Sequence, residues 1–509
     1  MIDVQELLAT LPARIDAIPR RIAARTPDAP ALREDGRCVS YAALVSLIDG
    51  YAVLLRARGV RPGDRVLLVS ENCVDQVALI FAAAMLDAWS VHLNPRLSAP
   101  EVDAIQAHCG ARLALYTAQV SPEAAAHAAR AGAGAHGALM IGPLNDACVP
   151  EKVEGAPVAA LVYTTGTTGQ PKGVMLSHRN LLFVASVSSR LRGLVPQDRA
   201  WGVLPISHVY GLTSVLLGTL CAGACLQLAP RFTPAAMLRA IREDGLSIVQ
   251  GVPAMYARLL ELAAASPAAP SPLPSRLRFA YAGGSPLDPD LKRRAEALLG
   301  LPLHNGYGLT EAAPTVSQTR LDAPRADTSV GQPIPGVEVR IVDKAGHDVA
   351  DGAPGALWVR GPNVMRGYYR APGPSAAALR PGGWLDTGDM ARRDADGALF
   401  IVGRGKELII RSGFNVFPLE VETVLNAYPG VMQSAVVGKA VADGNEEVVA
   451  FVQPAAGQAL AVDALQAWAA ARLAPYKRPG RIVLMKALPA AATGKVLKHA
   501  LKEAAAALT

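Results

Sequence analysis

Residues 163–174 read YTTGTTGQPKGV and follow an apolar run, VAALV (158–162), with the composition of a strand. Gly166, Gly169 and Gly173 open backbone conformations closed to other residues, so successive N–H groups can converge on an anion. Thr164, Thr165, Thr167 and Thr168 add hydroxyl donors, and Lys172 adds a point positive charge suited to phosphate. An ordinary Gly/Thr hairpin loop accounts for the glycines and some of the threonines. It does not account for four threonines and a lysine within residues 163–172. Nor is this the G-x-x-x-x-G-K-[ST] loop, because Lys172 follows Pro171 and precedes a glycine. The segment reads as a phosphate binder of another kind, at the end of a strand.

Outward from this loop the pattern is α/β. DRVLLVSENCVDQVALIFAAAML (64–86) reads as a short buried strand, a loop and an apolar helix, and ARLALY (111–116) and LQLA (226–229) give further short strands between helical stretches. The Pro/Ala/Ser-rich segments 264–275 and 371–383 read as surface loops. After Gly403 the texture changes to helix (420–428), strand (433–438), strand (447–454), helix (462–474) and strand (481–485), which is a small α+β domain. A chain of 509 residues exceeds what one core usually supports, so a large domain with a smaller one is expected.

Apolar residues make up 51% and charged residues 18%, which excludes a disordered chain. The formal charge of +7 favours polyanions, but no Lys/Arg run or aromatic-interleaved basic stripe points to nucleic acid. The apolar run 78–86 is too short to cross a bilayer and reads as a buried helix. The N-terminus lacks the basic start, apolar stretch and small-residue site of a signal peptide, so a cytoplasmic location is expected. The six scattered cysteines read as buried free thiols, without a Cys/His group to complete a metal site.

YTTGTTGQPKGV resembles the signature loop of the adenylate-forming superfamily, which contains acyl-CoA synthetases, firefly-type luciferases and nonribosomal peptide adenylation domains. Six further segments agree in content and order: PISHVYG (205–211), YAGGSPL (281–287), NGYGLTE (305–311), DTGD (386–389), GRGKELIIRSGFNVFPLEVE (403–422) and TGK (493–495). The resemblance covers nearly the whole chain. It implies an α/β fold, with a large N-terminal domain of mixed sheets flanked by helices (1–404) and a small mobile α+β C-terminal domain (405–509). It also implies an AMP-forming acid:coenzyme A ligase that uses ATP, Mg²⁺ and coenzyme A and passes through an acyl-adenylate.

By the same resemblance, Thr164, Thr165, Gly166, Thr167, Thr168, Gly169 and Lys172 hold the phosphates, with Asn305 and Thr310 also at the nucleotide. Glu311 is the magnesium ligand, in keeping with that ion's use of one or two carboxylates beside substrate phosphates. Tyr307 stacks on adenine with Gly283 and Gly284 opposite; otherwise it would be a core residue. Asp389 accepts both ribose hydroxyls, and Arg404 bonds the same sugar. Lys495 approaches the acid's carboxylate and the α-phosphate and stabilises the charge that shifts there. Without the resemblance it would be one more lysine beside Lys498 and Lys502. Lys406 falls at the hinge about which the C-terminal domain turns, and Gly413 where the pantetheine arm passes.

The acid pocket is expected around His208, Val209, Gly251, Met255, Gly283 and Gly308. Acetate-using relatives resemble one another in a tryptophan after the tyrosine of NGYGLTE, so Gly308 implies an open pocket. No carboxylate in PISHVYG pairs with a substrate ammonium. His208 reads as a neutral wall or gate, since a carboxylate nucleophile is already ionised at neutral pH. The partner is a small carboxylic acid with an uncharged tail larger than propionate, either a medium- or long-chain fatty acid or an aromatic acid. Loading of a separate carrier protein is the alternative acceptor chemistry. A non-catalytic acyl-nucleotide binder is the alternative of another class, disfavoured because Lys495, Glu311 and Asp389 are all present. Transient contact with a membrane surface and the oligomeric state stay open.

Overall fold

The computed structural model describes residues 2–152, 157–165, 171–265, 272–273, 275–411, 414–441, 445–490 and 496–508. The run 64–86 forms a strand, Arg65–Val69, and a helix, Val74–Met85. Every residue of that strand is buried, as in Trp89–Leu93 and Leu113–Tyr116, the pattern of parallel strands covered on both faces. They do pair in parallel, Arg65 beside Trp89 and Val66 beside Leu113. Arg65 tolerates burial because its guanidinium donates to the carbonyls of Gly63, Cys109, Gly110 and Val149 at 2.8–3.2 Å. Trp89–Leu93 pairs onward with Val158–Thr165, and Pro171–Ser177 closes this seven-stranded sheet in antiparallel sense.

A nine-stranded sheet contains the parallel strands Arg199–Gly202, Ile248–Gly251, Phe279–Ala282 and Leu303–Gly308, with Thr315–Gln318 antiparallel to the last. The motifs around Gly251, Gly283 and Gly308 thus sit at the carboxyl ends of neighbouring parallel strands, where α/β sheets bind ligands. One apolar core runs through this region from Leu7 to Leu399. An antiparallel sheet containing Glu338–Val342, Gly355–Arg360, Trp384–Arg393 and Leu399–Arg404 follows.

Beyond it the core changes. Ile409, Val421, Val436 and Ile482 belong to one apolar cluster, and Ala435, Phe451 and Leu501 to another. They pack the sheet Val431–Ala440, Glu446–Pro454 and Arg481–Leu484 against helices Pro418–Asn426, Val462–Ala470 and Lys498–Ala506. The result is a large domain of mixed sheets and helices followed by a smaller α+β one.

Two expectations need correction. Segment 371–383 is not a plain loop: it contains a helix, Pro372–Ala378, because proline suits the first helical turn and alanine favours helix. The cysteines are all free, but Cys38 is exposed and Cys221 half-buried. Most of the other Pro/Ala/Ser-rich segment, 266–271 and 274, lies outside the described residues. Among the described residues no helix is long and apolar enough to cross a membrane.

Candidate active site

The strands flanking the Gly/Thr loop form a hairpin in which Tyr163 faces Gly173, Thr164 faces Lys172 and Thr165 faces Pro171. Lys172 therefore stands on a strand, and strand alternation sends Tyr163 and Thr164 to opposite faces. The Tyr163 hydroxyl lies 2.7 Å from His108 Nδ1. Burial pushes that phenol well above its ordinary range, and burial, then Arg370, pulls His108 down. A neutral imidazole thus accepts from a protonated phenol. A Cβ at position 173 would lie 3.1 Å from the Tyr163 ring, so Gly173 makes room for this anchor. Ser177 ends the hairpin with a capping box, Asn180 N–H donating to Ser177 Oγ at 3.1 Å and Ser177 N–H to Asn180 Oδ1 at 2.8 Å.

The hairpin's second strand is also strapped to residues 366–369: Arg366 N–H donates to Met175 O (2.9 Å), Met175 N–H to Gly367 O (3.0 Å) and Tyr369 N–H to Gly173 O (2.7 Å). Tyr368, within that strap, holds its ring 5.1 Å from Lys172 Nζ and donates its hydroxyl to Glu311 Oε1 at 2.8 Å. Glu311 occupies a single 3₁₀ turn, Thr310–Ala312, between Leu303–Gly308 and Thr315–Gln318. Thr310 is buried there. Among the described residues no group of three His, Cys, Asp or Glu side chains could cage a metal. A lone half-buried carboxylate fits Mg²⁺ held mainly by substrate phosphates and water.

Asp389 and Arg404 are cross-strand partners, and Arg404 Nε lies 3.1 Å from Asp389 Oδ1. Tyr307 donates its hydroxyl to the other oxygen, Oδ2. Burial and the Asp389 charge hold the Tyr307 phenol well above its ordinary range, so it stays a donor. Thr387 Oγ accepts from the Asp389 N–H at 3.1 Å and fixes the bend. A carboxylate presents two acceptor oxygens side by side, a geometry that suits a pair of hydroxyls. Asn305 stands apart from this group: its amide donates to Thr328 O (3.0 Å) and Ser329 O (3.2 Å), so it shapes the strand end that presents Tyr307.

Among the residues expected to line the acid pocket, Gly283 N–H donates to Gly251 O at 3.1 Å, which sets two bare backbones side by side. A Cβ on Gly251 would meet the Tyr256 ring and Met255 Sδ at 3.3 and 3.4 Å; one on Gly283 would meet Tyr281 and Tyr210 at 3.1 and 3.4 Å. Gly284 is exposed with φ +83°, a conformation suited to glycine. His208 is half-buried and its Nδ1 accepts the Tyr210 N–H at 3.2 Å, as a neutral ring can. Tyr210 is 7% exposed, and its hydroxyl has no hydrogen-bond partner among the described residues.

Of the expected pocket residues, Val209 is 0% exposed and belongs to the main core. At Gly308 a Cβ would run into the carbonyl of Pro314 on the returning chain, so glycine serves the close approach of two backbones. Gly166, Thr167, Thr168, Gly169, Gly413 and Lys495 lie outside the described residues, as does the side chain of Thr165. Lys406 is exposed in the turn Gly405–Glu407. Sequence reading missed Tyr210, Tyr281 and Tyr368. The first two lie inside quoted motifs, where large aromatics beside glycines were a usable signal; Tyr368 lies in none.

Residues 19–369 match the family described as AMP-binding enzyme, and residues 420–495 match the AMP-binding enzyme C-terminal domain. The chain is 38% identical over 484 residues to a feruloyl-CoA synthase of Amycolatopsis sp., covering 94% of this chain and 96% of that one. It is 35% identical over 505 residues to an indoleacetate–CoA ligase of Aromatoleum aromaticum, covering 96% and 98%. The crystal structure of ATP-bound MatB from Rhodopseudomonas palustris superposes with a TM-score of 0.85 at 30% identity, over 97% of this chain and 99% of that one. With the Lys172 hairpin, the Glu311 turn and a Tyr–Asp–Arg group on the matching fold, the chain belongs to the AMP-binding enzyme family and is an ATP-dependent acid–coenzyme A ligase.

Proposed function

We propose that the acid is aromatic and carries a hydrogen-bonding substituent, and that it is activated as its adenylate before transfer to coenzyme A. The observation that carries this reading is the buried Tyr210 hydroxyl, unpartnered among the described residues, on a ring that packs against the bare backbone of Gly283 and edge-on to Tyr281. Such an aromatic wall suits a flat ring. A buried hydroxyl left facing methylene groups is unfavourable by about 1–3 kcal/mol, which disfavours an alkyl chain. Likeness to a feruloyl-CoA synthase and an indoleacetate–CoA ligase supports the same choice.

In this reading Lys172, Thr164, Thr165 and the 166–169 loop hold the triphosphate, with Thr310 at the edge of the phosphate site and Glu311 holding Mg²⁺, which neutralises charge on the departing pyrophosphate. Asp389 and Arg404 take the ribose, Tyr307 faces adenine, and Lys495 stabilises charge at the α-phosphate. Asn305 supports Tyr307 from behind. The chain beyond Arg404 then turns about Lys406 so that the thiol of coenzyme A reaches the mixed anhydride past Gly413. Two half-reactions with different needs are thereby served by one site.

The test is an acid panel with ATP and Mg²⁺, scored for pyrophosphate and, with coenzyme A added, for AMP and thioester. Hydroxylated aromatic acids are expected to give the highest kcat/KM. An alkanoic acid that matched or exceeded them would overturn the aromatic assignment, and pyrophosphate without thioester would overturn coenzyme A as acceptor.

A further inference from the structure

Lys172 and Glu311 come from different sheets. Lys172 lies on the outer strand of the seven-stranded sheet, while Glu311 sits in the turn between two strands of the nine-stranded one. A metal-bound triphosphate has to touch both, so their separation must be set before it binds. Opposite charges facing an unfilled cleft would otherwise be drawn into an ion pair and neutralise each other. Among the described residues no ion pair joins Lys172 to Glu311, and the side chain between them is Tyr368.

We propose that Tyr368 is a positioning residue which holds the Glu311 carboxylate and the Lys172 ammonium in register while keeping them apart. This rests on the reading of Glu311 and Lys172 as the metal and phosphate groups. The backbone of Tyr368 is fixed on both sides: its N–H donates to Ser375 Oγ at 2.8 Å, and it forms an antiparallel bridge with Val174, two residues from Lys172. The ring therefore moves with the hairpin. Its hydroxyl donates to Glu311 Oε1, which orients the carboxylate and leaves Oε2 to a cation. Its ring attracts the Lys172 ammonium without neutralising it, which leaves that charge available to phosphate. The corrected segment 371–383 has a part in this, since the helix Pro372–Ala378 supplies Ser375.

The experiment compares Tyr368→Phe, Tyr368→Leu and Glu311→Gln by two readouts: calorimetric binding of a non-hydrolysable ATP analogue across an Mg²⁺ titration, and pyrophosphate release as a function of Mg²⁺ and ATP. Tyr368→Phe keeps the ring and loses the hydroxyl, so the Mg²⁺ midpoint is expected to rise about threefold to tenfold in both readouts, with kcat at saturating Mg²⁺ within about twofold of wild type. Tyr368→Leu also loses the ring and is expected to add a rise of about threefold or more in KM for ATP. Thermal unfolding of the Phe variant should match wild type within a few degrees, which separates positioning from folding. If Glu311→Gln raises the Mg²⁺ midpoint but Tyr368→Phe leaves it unchanged or lowers it, Tyr368 has no positioning role and the Glu311 reading survives. If Glu311→Gln leaves the midpoint unchanged, both fall together.

Discussion

The Lys498 ammonium lies 3.1 Å from the Glu407 carboxylate, which ties the last helix to the turn containing Lys406. The same ammonium is 2.8 Å from Glu422, whose Oε1 also accepts the Val436 N–H. Residues 407, 422 and 498 are thereby joined into one unit. Burial works against the Lys498 charge, but Glu422 and Glu407 outweigh it and hold its pKa above the ordinary 10.5. A lysine raised in the folded state stabilises fully below its unfolded pKa and loses that contribution as pH climbs through the folded value. Lys498→Met should therefore destabilise the C-terminal domain by about 1–3 kcal/mol at neutral pH. The gap between wild type and variant in denaturant midpoint should narrow only above pH 10.5.

Asp389 binds Tyr307 and Arg404 through different oxygens, so its replacement disturbs both the ring and the cation that the proposed function sets at adenine and ribose. Asp389→Asn should raise KM for ATP roughly tenfold to hundredfold, the loss expected when charge-assisted hydrogen bonds at a partly buried site go. KM for the acid should move by less than about threefold. ATP–pyrophosphate exchange measures both, and equal changes in the two would place Asp389 outside the ribose site.

For Tyr210 the informative change is removal of one atom. Tyr210→Phe keeps the ring against Gly283 and Tyr281 and deletes the buried hydroxyl. kcat/KM for a hydroxylated aromatic acid should fall roughly tenfold to hundredfold, while the unsubstituted analogue stays within about threefold. A uniform drop across both acids would show that the hydroxyl does not meet the substrate.

Gly308 separates packing from specificity. On a pocket wall an added methyl would change acid preference and leave stability alone; against the Pro314 carbonyl it must move backbone. Gly308→Ala should therefore lower stability by about 1–3 kcal/mol, read from denaturant midpoints.

The contrast between Gly308 and Asp389 shows what the chain makes legible. Strand 65–69, helix 74–85 and the domain change after Gly403 follow from local patterns, whereas the second strand, Pro171–Ser177, which carries Lys172, was not read from the sequence. Asp389, Arg404 and Tyr307 meet because Asp389 and Arg404 are paired across neighbouring strands and Tyr307 stands near the end of another. Gly308 and Gly173 were opaque because what they accommodate, Pro314 and the Tyr163 ring, is set by strand pairing and not by neighbours along the chain. Tyr368 was opaque because its importance comes from a strap that joins two sheets, with partners 57 and 7 residues away.

Lys495 and Gly413 offer the sharpest division of the two half-reactions. If Lys495 stabilises charge at the α-phosphate only while the adenylate forms, Lys495→Ala should cut pyrophosphate release by about a hundredfold or more, the usual loss for a group that acts on developing charge. Thioester formation from pre-formed acyl-adenylate should stay within about threefold, because that step begins after the α-phosphate has already been joined to the acid. If the pantetheine arm passes Gly413, Gly413→Leu should do the reverse: pyrophosphate release spared, thioester formation abolished. Single-turnover assays started from acid and ATP, or from acyl-adenylate and coenzyme A, separate the steps. Opposite losses would require that the domain beyond Arg404 presents different groups to the same adenylate in turn. Equal losses in both half-reactions for either variant would mean that the domain keeps one position throughout, and the hinge assigned to Lys406 would have no work to do.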